Sequence, residues 1–319
     1  MKKLTALLCL IGLLLVGCGP RPTSVSATGM GTVISLSLDG GSTEDVQGLL
    51  ALFDRIEQAS SLTIENSAVN KLNETGTTEN AHLLSQAQTA AQVFAASGGA
   101  MDLTVGPLTA LWHIGFPDAR VPSKEEIDGA RAHVNGADML LTDTSLTLAP
   151  GQRADFGAVT KGYACDQART YLQNTGVSAA VIAVGGSLLF YGSRGRDWVA
   201  AIKHPERENA YAGTFTLKEG CVSTSGAYER YLEADGKTYH HLLDPATGYP
   251  AETDLLSVTV VTDSGALSDA LSTACFVLGA EKGAQLLNDF QAQGVFILKD
   301  HTVRVFGLDF TLTSEDLTL

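Results

Sequence analysis

Asp155-Phe156-Gly157-Ala158-Val159-Thr160-Lys161-Gly162-Tyr163-Ala164-Cys165-Asp166 reads as the passage from an extended segment into a helix. Asp155 stands where an N-cap or first-turn acid would stand, and two glycines permit close backbone approach. From Lys161 onward the spacing of Tyr163, Ala164, Ala168, Tyr171 and Leu172 is helical, and Gly176 offers a C′ stop. Positions 155, 158, 161 and 162 then share one face, which sets a carboxylate and an ammonium at a helix start. Convergent backbone N–H groups make such a start suited to a phosphate. An N-cap aspartate beside a solvated lysine accounts for the same residues equally well.

The elements around this stretch mix strands and helices. Met30-Gly31-Thr32 is a turn entering a strand, and 42–60 and 79–97 are amphipathic helices, the second stopped by Gly98-Gly99. Pro107 suits the first turn of a helix, and Ser123-Lys124-Glu125-Glu126 opens another with a capping box. Residues 139–148 are strand-like and lead to Asp155. Beyond the central helix, strands are expected over 179–184, 198–203, 213–217, 220–224, 228–233 and 257–262. Asp235-Gly236 is a hairpin turn, and a helix covers 264–278. No regular βαβ alternation runs through the chain, so the class is α+β, a hairpin-rich sheet with packed helices.

The ends set the compartment. Lys2 and Lys3 precede an apolar run from Leu4 to Val16, followed at once by Gly17-Cys18. That run is short of the roughly 20 residues that span a bilayer. It reads as a signal peptide over 1–17, cleaved before a lipidated Cys18, with 18–27 as a tether and 28–319 as a single catalytic unit. Loss of Lys2 and Lys3 takes the formal charge from −14 to −16, which excludes nucleic acid as a partner and leaves membrane anchoring to the lipid on Cys18. Cys165, Cys221 and Cys275 form neither a disulfide framework nor a zinc pattern and are expected to be small buried residues.

Three further features carry chemistry. Asp269 and Thr273 stand at i and i+4 of a helix, so carboxylate and hydroxyl oxygens lie side by side, a donor pair for a hard cation such as Mg²⁺; a helix acid and a core hydroxyl is the plainer reading. His240 and His241 are adjacent, and on a strand only one of them can face a given site. Ser223-Thr224-Ser225-Gly226 is a hydroxyl-rich turn suited to a phosphate or a flavin.

The ordered set is more specific than any member. Met30-Gly31-Thr32, SxxxxxSAVNKLN (61–73), MDLTVGPL (101–108), DFGAVTKGYACD (155–166), VIAVGGSLLFYG (181–192), STSGAYER (223–230), HHLLDPATGYP (240–250) and SVTVVTDSGALSDALST (257–273) follow in sequence. Together they resemble the ApbE family of bacterial FAD:protein FMN transferases over essentially the whole mature chain. The resemblance implies a T-fold-related unit that uses FAD as substrate and Mg²⁺ as cofactor. By the same resemblance, the Ala158 carbonyl, Asp269 and Thr273 hold the metal, and Met30, Ala100, Met101, Asp102, Asp155, Lys161 and Leu242 contact FAD. His241, Lys161 and Asp269 carry catalysis, with His241 as the base. A second-metal acid found in some members falls at Ala266, and a stacking aromatic falls near Thr63; neither residue can play that part.

The reaction so implied is transfer of FMN through a phosphoester bond to a threonine of a target protein, with release of AMP. Acceptors would be extracytoplasmic flavoproteins or subunits of membrane redox complexes. Two alternatives stay open on sequence: a Mg²⁺-dependent FAD pyrophosphatase, and a flavin-binding lipoprotein without turnover.

Overall fold

The computed structural model describes residues 22–319. The expected leader and Cys18 lie outside the described residues. The frame is an eight-stranded, wholly antiparallel sheet whose spatial order equals its chain order. Its strands are β1 (Thr23–Gly29), β2 (Thr32–Asp39), β3 (Ala179–Val184), β4 (Ser187–Gly192), β5 (Gly220–Gly226), β6 (Leu255–Thr262), β7 (Gln293–Leu298) and β8 (Val303–Phe306). β1 and β2 meet in a two-residue turn in which Met30 (φ 54°) and Gly31 (φ 67°) are both left-handed, the geometry that follows strand twist in a tight hairpin. Of the tether expected over 18–27, the part from Thr23 onward is paired in the sheet, and 18–21 lie outside the described residues. From Thr23 the chain is an edge strand, because its alternating Thr, Val and Ala side chains pair in register with β2.

Six helices are inserted between β2 and β3, whose pairing brings Asp39 opposite Ala179. They are α1 (Thr43–Ser60), α2 (Ala68–Thr75), α3 (Ala81–Ser97), α4 (Gly106–Trp112), α5 (Lys124–Arg131) and α6 (Thr160–Leu172). α1 and α5 begin on the full capping boxes of Ser42 with Asp45 and Ser123 with Glu126. α3 ends at Gly98 in the left-handed conformation, which turns the chain toward Ala100. α7 (Gly265–Asp289) crosses from β6 to β7 and breaks its helical geometry at Gly279, one residue beyond the end expected at Leu278.

α1, α6 and α7 cover one face of the sheet with α3 packed on α7 and α1, and Leu36, Leu49, Phe53, Phe156, Ile182, Phe276 and Phe296 fill the core between them. A small sheet of Trp198–Lys203, Tyr211–Leu217 and Phe310–Leu312 covers the other face through Phe190, Trp198, Phe215 and Ile297. A third cluster, Leu108, Trp112, Ile114, Ile127 and Leu243, stands apart beneath α4 and α5.

Candidate functional site

The floor of the site forms where α6 crosses α7. A Cβ on Gly162 would lie 1.9 Å from the carbonyl oxygen of Gly265, and one on Gly265 would lie 2.2 Å from that of Gly162. Only glycine at both positions lets the two backbones touch. That contact brings Asp269, 4% exposed, against the start of α6, where the Gly162 N–H donates to its Oδ2 at 3.0 Å and Lys161 Nζ stands 3.8 Å away. Burial pushes the Asp269 carboxyl up, while Lys161 and the Gly162 N–H pull it back.

Asp166 fixes the register of this crossing. Its carboxylate accepts from Ser264 Oγ at 2.9 Å and from the N–H groups of Gly265 (2.6 Å) and Ala266 (2.9 Å), capping α7. Ala266 contributes its backbone N–H to this cap, and its methyl side chain offers no donor to a cation. Thr273 lies one turn beyond Asp269 and shares a hydroxyl network with Ser225 (3.3 Å), which in turn meets Ser272 (2.8 Å). The serine-rich β5 therefore orients α7, while Thr224 and Ser225 also line the cavity.

Asp155 does not cap α6. The helix starts at Thr160 with Val159 at the cap position, and Asp155 Oδ1 accepts the Gly157 N–H at 2.8 Å in a local turn. The segment is pinned from behind: Asn73 exchanges two hydrogen bonds with Ala154, and the Asp155 N–H donates to the Leu103 carbonyl. The expected stop at Gly176 is also corrected. α6 ends at Leu172, where Thr175 takes the freed carbonyl through both its N–H and its hydroxyl.

His241 hangs over this floor. Its Nδ1 donates to the Arg230 carbonyl at 3.2 Å, which leaves Nε2 with its lone pair. Burial, with Arg230 and Lys161 nearby, drops its pKa to about 4, so the ring is neutral at pH 7. His240 turns the other way, toward the Ala251 carbonyl and the edge of Phe276. The strand after the serine turn begins at Tyr231, which leaves Glu229 and Arg230 in the cavity wall.

Met30, Ala100, Met101, Asp102, Asp155, Ala158, Lys161, His241, Leu242, Asp269 and Thr273 all line one cavity of about 650 Å³, within the size range of sites for organic ligands. Asp102 is 6% exposed and its oxygens are already engaged. Oδ1 accepts from the N–H and hydroxyl of Thr104, both at 2.7 Å, and Oδ2 accepts the Gly136 N–H at 2.8 Å. Thr63 also lines the cavity.

Sequence reasoning did not single out Glu57, Arg153, Glu229, Arg230, His113 or Phe116, which share the lining. Glu229 and Arg230 were detectable as a charged pair immediately after a Ser-Gly turn; the other four carry no local signal. Burial raises the Glu229 carboxyl, with Lys161 opposing the shift. The lining holds five carboxylates (Glu57, Asp102, Asp155, Glu229, Asp269) against three permanent cations (Arg153, Lys161, Arg230). A diphosphate entering such a wall needs additional positive charge. The Ala158 carbonyl, the Asp269 carboxylate and the Thr273 hydroxyl are hard oxygen donors that fit a Mg²⁺-like ion.

The model of the ApbE family matches residues 30–297. A Klebsiella pneumoniae relative bearing the name FAD:protein FMN transferase is 36% identical over 64% of this chain and 65% of its own length. One of the same name from Escherichia coli K12 is 31% identical over 86% of each chain. The chain thus spans just under two thirds of the first relative and most of the second. The crystal structure of the ApbE protein of Thermotoga maritima superposes with a TM-score of 0.82 at 31% identity, covering 90% of this chain and 97% of that one. The flavin transferase ApbE of Vibrio cholerae gives 0.77 at 26% identity, covering 93% and 98%.

Proposed function

Because the chain belongs to the ApbE family, we propose that it moves FMN from FAD onto a threonine hydroxyl of another protein and releases AMP. The observation that carries this reading is convergence. Residues from α6, from α7 and from the segment after Lys237–His240 reach one cavity, and between them they supply hard oxygen donors, a cation and a neutral imidazole.

The chemistry follows from those groups. The threonine oxygen attacks the phosphorus of the FMN half, the bond to the bridging oxygen breaks, and AMP leaves with that oxygen. His241 Nε2 accepts the threonine proton, its ring held by the Nδ1 bond to Arg230. Lys161, near Asp269 and 3.1 Å from the Gly157 carbonyl, is placed to neutralise diphosphate charge. At an effective dielectric of about 20, one such charge pair near 4 Å is worth about 4 kcal/mol. Ala158, Asp269 and Thr273 would hold Mg²⁺, which supplies electrostatic stabilisation of the charge developing on the diphosphate oxygens. Anionic phosphate beside His241 raises its proton affinity above that of the free enzyme, which favours its action as a base.

The leader and Cys18 support a lipid-anchored, extracytoplasmic enzyme, whose acceptors would be secreted flavoproteins or subunits of membrane redox complexes. No described helix is long and apolar enough to cross a membrane. Incubation with FAD, Mg²⁺ and a threonine-bearing acceptor domain should give a flavin-fluorescent acceptor band in a denaturing gel. AMP release without any adduct on the acceptors tried would favour hydrolysis of FAD instead. Bound FAD with neither product would leave a flavin-binding protein. Replacement of Cys18 by alanine should move the protein from the membrane to the soluble fraction.

A further inference from the structure

The cavity rim carries an aromatic arrangement unrelated to the metal and base positions. Phe116 is 39% exposed although it is a large apolar side chain in the lining. One of its faces is covered by the His113 ring at a centroid distance of 4.1 Å and an interplanar angle of 11°. His113 in turn donates from Nδ1 to Asp118 Oδ1 at 2.6 Å, which fixes the plane of both rings. The loop that presents them is set by unusual backbone: His113 has φ 47° and Gly115 φ 96°. A Cβ on Gly115 would press on Arg230 Cδ at 3.2 Å, so the loop also leans on a side chain of the cavity wall. His113 is the left-handed C-cap of α4, its N–H donating to the Thr109 carbonyl, so the end of that helix sets where the stacked pair sits.

We propose that the His113–Phe116 pair is the stacking platform for one of the two planar rings of the dinucleotide, isoalloxazine or adenine. This rests on the proposed use of FAD. Aromatic side chains hold heteroaromatic rings by offset stacking and by removing their faces from water. His113 acts through Phe116 and is a positioning residue.

Titration of the full-length protein with FAD, FMN and ADP, followed by flavin fluorescence and calorimetry without acceptor, tests the assignment. Phe116→Ala should weaken FAD binding by about tenfold, the size expected for loss of one stacked ring. Phe116→Trp should restore it, since either ring presents a stacking face. If isoalloxazine occupies the platform, FMN affinity falls with FAD while ADP affinity holds, and Phe116→Trp deepens the fluorescence quench. If adenine occupies it, ADP affinity falls and FMN affinity holds. Equal FAD affinities for the wild type and Phe116→Ala would overturn the platform alone. Failure of the wild type to bind FAD at all would overturn the functional reading beneath it.

Discussion

The floor and the rim of the cavity are built on opposite principles. At the floor, α6 and α7 touch backbone to backbone through Gly162 and Gly265, and the Asp269 and Thr273 oxygens are held by the Gly162 N–H and the β5 hydroxyl network. At the rim, a small separate cluster around Trp112 carries loops whose shape depends on left-handed residues, with Trp112 Nε1 donating to the Gly248 carbonyl at 2.8 Å as the main strut. In the proposed reaction the floor positions the reacting atoms and the rim holds the rings of the dinucleotide. Substitutions at the floor should therefore act on turnover, and those at the rim on affinity.

The largest expected effect is at Asp269. Asp269→Asn keeps the volume and should lower AMP release on the order of 1,000-fold, as loss of a single preorganised electrostatic group does. The melting temperature should hardly move, because relief of a buried carboxylate offsets the weaker bond to Gly162. An active Asp269→Asn enzyme would remove the floor from catalysis. His241→Asn should cost roughly 100-fold or more in turnover while leaving FAD affinity near that of the wild type. A loss of affinity instead would move His241 from the floor group to the rim group.

Next comes the crossing itself. Gly162→Ala must open the helix contact and should destabilise the protein by about 1–3 kcal/mol, with turnover falling alongside. Gly176→Ala meets nothing within 4 Å and serves as the silent control in the same thermal melt.

A further effect is in pH. A histidine depressed to about 4 resists protonation in the fold, whereas the unfolded chain binds that proton near 6.5. Stability from this group is complete above about 6.5 and declines as pH falls toward 4. The acid limb of kcat/KM, which reports the free enzyme, should lie nearer 4 than 6.5. A limb at 6.5 would mean that His241 is solvated like a rim residue.

The same contrast governs how much the sequence could tell. The helix start and the i/i+4 pair of the floor stood out as local patterns, but their roles came only with the ordered set of motifs, and the Gly162–Gly265 crossing has no signal in the sequence. Within that stretch, Asp155 and Gly176 misled, since Asx turns and helix ends use the same residue types and only tertiary packing chooses between them. Strands β7 and β8 went unread because their apolar runs have no distinctive turn chemistry and are specified by pairing with β6. Phe116 was invisible for a different reason: the backbone turns at His113 and Gly115 direct it to the cavity, and no periodicity encodes that direction.

The proposed reaction needs the α6–α7 crossing to seat the diphosphate. Its most direct test is to count AMP and threonine-linked flavin formed from FAD and Mg²⁺ by the wild type and by Asp269→Asn, with folding checked by thermal melt. The prediction is one AMP per flavinylated threonine for the wild type and, for the folded variant, both products lowered on the order of 1,000-fold. Adduct formation by Asp269→Asn at the wild-type rate would contradict it.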